Sequence, residues 1–133
     1  MTRLHHLALT AADLAASVAF YDPFLAELGY QRSGGLESPL IYLGDGPEIL
    51  VYRTEGDGAG RSRHQHGAPG LQHLAFEVDD PSAVDAAFRA AVAACGTVVY
   101  APRTYPEYAD GYCATFIEDL DGSRFEVVNI PKS

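Results

Sequence analysis

The feature that most constrains this chain is a repeat inside it. Sliding the sequence by 67 places lays Leu4, His6, Leu7 and Ala8 on Leu71, His73, Leu74 and Ala75. The same shift lays Asp13 on Asp80 and Gly29 on Gly96, with no gap between. A register kept over that span points to two copies of one supersecondary unit, each needing the other to bury its apolar face. The 133 residues suffice for two such units packed as one domain with a sizeable core.

Each copy reads as β-α-β-β-β. The opening strands are expected at about 3–10 and 71–79. Asp13 and Asp80 then stand where a side chain caps a helix by accepting from its free N–H groups. Pro81 takes the favoured first helical position, and the alanine-rich run after it is expected to end at Gly96 as a C-terminal cap. In the first copy Pro23 removes a helical hydrogen bond and clashes with the preceding turn. That helix is therefore expected to stop near Tyr21 and restart as a short turn ending at Gly29. Strand-like runs follow each helix: "YQRS", "SPLIYLG" and "EILVYR", then "TVVYA", "YCATFIE" and "RFEVVNI". The fold class is α+β. One domain is expected over 1–133, with modules at approximately 1–54 and 71–133 and a glycine-rich linker loop at 55–70.

Side chains alternate along a strand. Leu74, Phe76 and Val78 share the face that packs under a helix, and His73, Ala75 and Glu77 share the other. In the first copy Leu7 and Leu9 take the apolar face with His5, and His6, Ala8 and Thr10 the other. Parity thus pairs His6, not His5, with His73. Glu126 lies opposite Phe125 and Val127 in the last strand, flanked by apolar residues. A carboxylate there is costly to bury unless paired, protonated or bound to a cation. Two imidazoles and a carboxylate suit a divalent metal; three separately satisfied polar residues are the alternative.

A formal net charge of −9 argues against partners that present phosphates, so neither nucleic acid nor an anionic membrane is expected. Cys95 and Cys113 lack CxxC spacing and read as free thiols. No signal-peptide pattern and no run of ~20 apolar residues occurs, so a soluble, cytoplasmic protein is expected. His64 and His66 read as solvated loop residues, Arg103 and Glu107 as a surface pair, and Asp121-Gly122 as a tight hairpin. Tyr105, Tyr108 and Tyr112 crowd one loop. Tyr108 and Tyr112 are expected to line a substrate pocket, because a phenol offers an apolar body and a polar tip; cover for a sheet edge or a dimer surface is the alternative.

The segments "LHHLALTAADLAASVAFYDPFLAELGY", "LQHLAFEVDDPSAVDAAF" and "IEDLDGSRFEVVN", in that order, resemble the vicinal oxygen chelate superfamily: the glyoxalase, bleomycin-resistance and extradiol dioxygenase group. The resemblance implies two paired βαβββ modules forming a cupped mixed sheet with the helices outside. It implies a metal in the cup, with ligands from the first and last strands of each module. His6, His73 and Glu126 match those positions. For the fourth, aligning "PEIL" with "FEVV" selects Glu48, whereas aligning Asp45-Gly46 with Asp121-Gly122 selects Leu50. The implied cofactor is a divalent ion: Zn, Ni, Fe, Mn or Co. Four ligands would look like glyoxalase I, a lyase, with Glu126 as catalytic base. Three would look like the open sites of dioxygenases or fosfomycin-resistance transferases. The former usually carry more modules, and the latter need cationic residues, of which the linker offers Arg61 and Arg63. The resemblance implies a small-molecule substrate that chelates the metal through adjacent oxygens, and a homodimer. A non-catalytic drug-binding protein of the bleomycin-resistance type is the rival implication.

Overall fold

The computed structural model describes residues 1–55 and 63–132. The linker residues between, Arg61 among them, and Ser133 lie outside the described residues. The chain runs β1 (His6–Ala11), α1 (Leu14–Ala26), β2 (Gln31–Ser33), β3 (Leu40–Leu43), β4 (Glu48–Arg53), β5 (Leu74–Glu77), α2 (Pro81–Ala93), β6 (Thr97–Thr104), β7 (Cys113–Glu118) and β8 (Arg124–Asn129). This is the expected α+β class, two βαβββ modules in sequence. Each module forms its own four-stranded mixed sheet, in the orders β1-β4-β3-β2 and β5-β8-β7-β6. β1 runs parallel to β4 and β5 parallel to β8, and the other pairings are antiparallel.

The repeat is visible in the caps. Asp13 accepts from Ala16 N at 3.1 Å and Asp80 from Ala83 N at 3.0 Å, so equivalent residues start both helices. The hydrogen bonds from Ser82 and Ala83 hold the Asp80 carboxyl below the usual carboxylate range. α2 buries Val84, Ala87 and Ala91, a stripe at helical spacing.

The two modules share one core. It contains Phe20, Tyr21, Phe24 and Leu25 of α1 and Val84, Ala87 and Ala91 of α2. To these the first sheet adds Leu40, Tyr42, Ile49 and Val51, and the second Ile117, Phe125 and Val127. Phe125 sits at the seam, its ring 6.1 Å from Tyr21, 5.8 Å from Phe24 and 6.1 Å from Phe76. A polar clasp joins the modules beside it. Asp119 accepts from the Tyr21 hydroxyl and from the N–H groups of Asp121 and Ser123, and Ala12 N donates to Asp121 Oδ1 at 3.2 Å. Burial raises the Asp119 carboxyl above its usual range. The turn at Asp121-Gly122 thus forms as expected, with Gly122 at φ +88°, and it also docks the first module.

Local expectation fails in three places. α1 runs unbroken through Pro23. The interior proline costs about 3 kcal/mol. Burying Phe24 and Leu25 beyond it returns roughly 1.5–3 kcal/mol each, so continuing the helix wins. α2 does not end on a left-handed Gly96. Cys95 takes that conformation, at φ +68°. Gly96 is required for space instead: a Cβ there would lie 2.7 Å from Phe20 Cε1 and 2.9 Å from Ala91 O. Finally, His5 does not join the apolar face. β1 begins only at His6, so His5 escapes the strand's alternation. It is exposed, with its Nδ1 2.8 Å from that of His6.

Candidate functional site

Because both sheets press their apolar faces into one core, their other faces turn away from it. Each outward face carries one histidine and one nearby glutamate. On the first sheet, the β1–β4 register sets His6 beside Glu48 and Ala8 beside Leu50. On the second, β5 and β8 set Ala75 beside Glu126. Ala8 and Ala75 are equivalent under the 67-residue shift. Leu50 therefore occupies the place equivalent to Glu126, and Glu48 stands one same-face step away, next to His6.

The second face is the more organised. Glu126 is 3 % exposed, and both of its oxygens have partners. Oε1 lies 3.1 Å from His73 Nε2, and Oε2 accepts from the Tyr112 hydroxyl. His73 is two residues before Ala75, just ahead of β5, and Gln72 Oε1 meets its Nδ1. The imidazole thus stands between an amide and a carboxylate, and in the tautomer that leaves Nε2 unprotonated its lone pair and Glu126 Oε1 together suit a cation. Two donors that share one metal at 2.0–2.2 Å stand about 3.0–3.4 Å from each other. His73 and Glu126 thus fit as one half of a metal's ligand set.

An aromatic wall surrounds this pair. Phe116 lies opposite Glu126 in the β7–β8 register. Its ring is 5.6 Å from His73, 5.9 Å from Tyr100 and 5.9 Å from Tyr105. The loop between β6 and β7 folds back over the sheet, so Tyr105, Ala114 and Val128 form a small second core. Tyr108 stacks on Tyr105 at 5.4 Å and stays 62 % exposed. Burial, then the bond to Glu126, raises the Tyr112 phenol well above its ordinary range. Arg103 caps the stack, 3.6 Å from the centre of the Tyr105 ring, and reaches Glu107 at 3.9 Å.

The first face is open by contrast. His6 is exposed, and Glu48 makes no side-chain hydrogen bond among the described residues. A hollow of about 660 Å³, lined by Leu4, His5, Leu43 and Glu48 among others, opens beside it. The structure does not bring His6 and Glu48 together with His73 and Glu126, and among the described residues no three histidine, cysteine, aspartate or glutamate side chains converge. His64 is tied to the β7–β8 turn by its backbone, N to Asp121 O at 2.8 Å, and has no part in either pair. Sequence reasoning missed Gln72 altogether. Its position next to His73 was the available signal.

Comparison with known proteins accords with this architecture. The family model of the glyoxalase/bleomycin resistance protein/dioxygenase superfamily matches residues 3–127. The chain is 30 % identical to the uncharacterized protein YqjT of Bacillus subtilis, over 94 % of this chain and 97 % of that one. Among solved structures, a glyoxalase/bleomycin resistance protein from Albidiferax ferrireducens superposes with a TM-score of 0.77 at 22 % identity, covering 96 % of this chain and 98 % of that one. A lactoylglutathione lyase from Agrobacterium tumefaciens superposes with a TM-score of 0.66 at 24 % identity, covering 97 % and 94 %. Likeness at those identities speaks for the fold alone.

Proposed function

Because the chain belongs to the glyoxalase/bleomycin resistance protein/dioxygenase superfamily, we propose that it is a metal-dependent, glyoxalase-like enzyme. Its substrate is a small molecule that chelates a divalent cation through adjacent oxygens. One observation carries this reading: each outward sheet face holds one histidine and one glutamate, and the faces turn away from a shared core. A second copy laid face to face would join the first-sheet pair of one chain to the second-sheet pair of the other. By two-fold symmetry such a homodimer holds two complete sites.

His6, His73 and Glu126 would hold the ion, with Glu48 beside His6 as the fourth donor. A bound divalent ion (Zn, Ni, Fe, Mn or Co) supplies a Lewis acid that polarises a substrate oxygen. The protein's own part is to orient and to move a proton. Glu126, once the Tyr112 phenol gives up its Oε2, would serve as the base at the carbon beside the chelating oxygens, and the Tyr100–Phe116 side of the cup would shield that carboxylate from water. Tyr108 and Tyr112 edge the substrate pocket. Lyase or isomerase chemistry is favoured by analogy with the Agrobacterium lyase. Leu50 at the place equivalent to Glu126 favours a three-donor alternative, with the open coordination that dioxygenase chemistry needs. The aromatic wall and the charge of −9 favour a third reading, a non-catalytic binder of a cationic drug-like molecule. The soluble, cytoplasmic setting stays part of the proposal.

The test is metal analysis of the full chain and of two variants, His6→Ala and His73→Ala, separately and after mixed refolding. About one ion per chain in the parent and none in either variant is expected. Mixed dimers regain one site in two, because one interface then holds both intact histidines. No recovery on mixing would place the pairs within one chain. No metal in the parent after reconstitution would leave the binding protein as the reading.

A further inference from the structure

We propose that Tyr112 is a positioning residue that presents Glu126 to a divalent cation through one oxygen only. This inference rests on the metal reading above and adds to it a residue that never touches the ion. The Tyr112 hydroxyl donates to Oε2 of Glu126, and Oε1 is left facing His73 Nε2 at 3.1 Å. A carboxylate held in this way cannot swing to clasp an ion with both oxygens without breaking the phenol bond.

The phenol is itself held from several sides. Tyr108 meets it edge-on at 5.2 Å and Tyr105 at 6.3 Å. The loop that carries it is closed by Tyr105 N donating to Tyr112 O at 2.7 Å, and by Tyr112 N donating to Ala109 O at 3.2 Å. Gly111, at φ +71°, lets the chain pass Pro131, whose Cγ would lie 2.6 Å from a Cβ at that position. The arrangement has no equivalent on the first sheet. There the place of Glu126 is taken by Leu50, beside Ile41 as Glu126 stands beside Phe116, and a leucine has no oxygen to accept such a bond. The hydrogen bond therefore belongs to one glutamate and is not a by-product of the repeat. Partners of this kind orient metal-binding carboxylates, and their loss typically weakens metal affinity by roughly 10–100-fold.

The experiment is titration of the full-length, metal-stripped protein with Co²⁺ alone, read by calorimetry and by the visible absorption of the bound ion. Tyr112→Phe is expected to bind roughly 10–100-fold more weakly and to show a changed visible spectrum, because the freed Oε2 can enter the coordination shell. Tyr105→Phe removes a buried hydroxyl that has no hydrogen-bond partner among the described residues, and is expected to match the parent in both readouts. Parent and Tyr112 variant binding with equal affinity and the same spectrum would overturn the positioning role while leaving the metal reading intact. A parent that takes up no more Co²⁺ than His73→Ala would overturn both.

Discussion

The two outward faces are built on equivalent strands of the repeat, yet their donors are engaged to very different degrees. On the second sheet, Glu126 is buried and both its oxygens are engaged, by His73 and by Tyr112. On the first, His6 is exposed, Glu48 lies beside it, and an apolar Leu50 fills the place equivalent to Glu126. The second face has the carboxylate set in advance. The first contributes a histidine on an open surface that a second copy can cover. A cation bound between two such faces would find half its donors preorganised and the other half delivered on association, so metal binding and dimerisation would be linked.

The comparison breaks most severely where the modules meet. Phe125 contacts aromatic residues of α1 and of β5, so Phe125→Ala is expected to cost about 3–5 kcal/mol. Chemical denaturation should show the loss in one transition, because both modules share the core. Two separate transitions would mean that the modules unfold independently. The next effect separates the faces directly. Glu126→Ala leaves the Tyr112 hydroxyl without its acceptor and is expected to cost about 1–3 kcal/mol. Glu48→Ala removes no side-chain bond seen in the described residues and should stay within about 0.5 kcal/mol. Equal losses would erase the asymmetry.

The last effect, confined to alkaline pH, concerns the first module's interior, which is as closed as its outward face is open. Tyr21 and Tyr42 are 1 % and 0 % exposed. Burial, then the carboxylates of Asp119 and Asp22 respectively, pushes both phenols above their ordinary range. Below about pH 10 both are protonated folded or unfolded, and no stability is lost. Above that, the unfolded chain releases protons that the folded chain keeps. Stability should then fall by about 1.4 kcal/mol per pH unit for each such phenol. Tyr42→Phe is expected to reduce that slope by one proton, measured by denaturation between neutral and alkaline pH.

Much of this was legible locally. The repeat implied two equal modules. Asp13 and Asp80 marked both helix starts, and strand parity put His6 and His73 on the faces away from the core. These features depend on neighbours in sequence, whose geometry is set by backbone periodicity and by a cap three residues from its target. Pro23 shows where that legibility stops. Its local cost is readable, but the gain from burying Phe24 and Leu25 depends on the shared core, where Phe24 meets Phe125 of the second module. Gly96 is similar, since its need for space comes from Phe20, far off in the chain.

The candidate site divides along the same line. By itself the sequence pointed to the candidate residues: two histidines at equivalent places in the repeat and a glutamate among apolar neighbours in the last strand. Strand alternation is a property of the backbone, and it needs no partner to set a side chain's face. Only the tertiary structure decided that Leu50 rather than Glu48 stands where Glu126 does, that Tyr112 and Gln72 complete the second pair, and that the two pairs look away from each other. Those outcomes depend on the register between strands far apart in the chain, and on which faces were used up in building the shared core. Burying both apolar faces together left the two polar faces back to back.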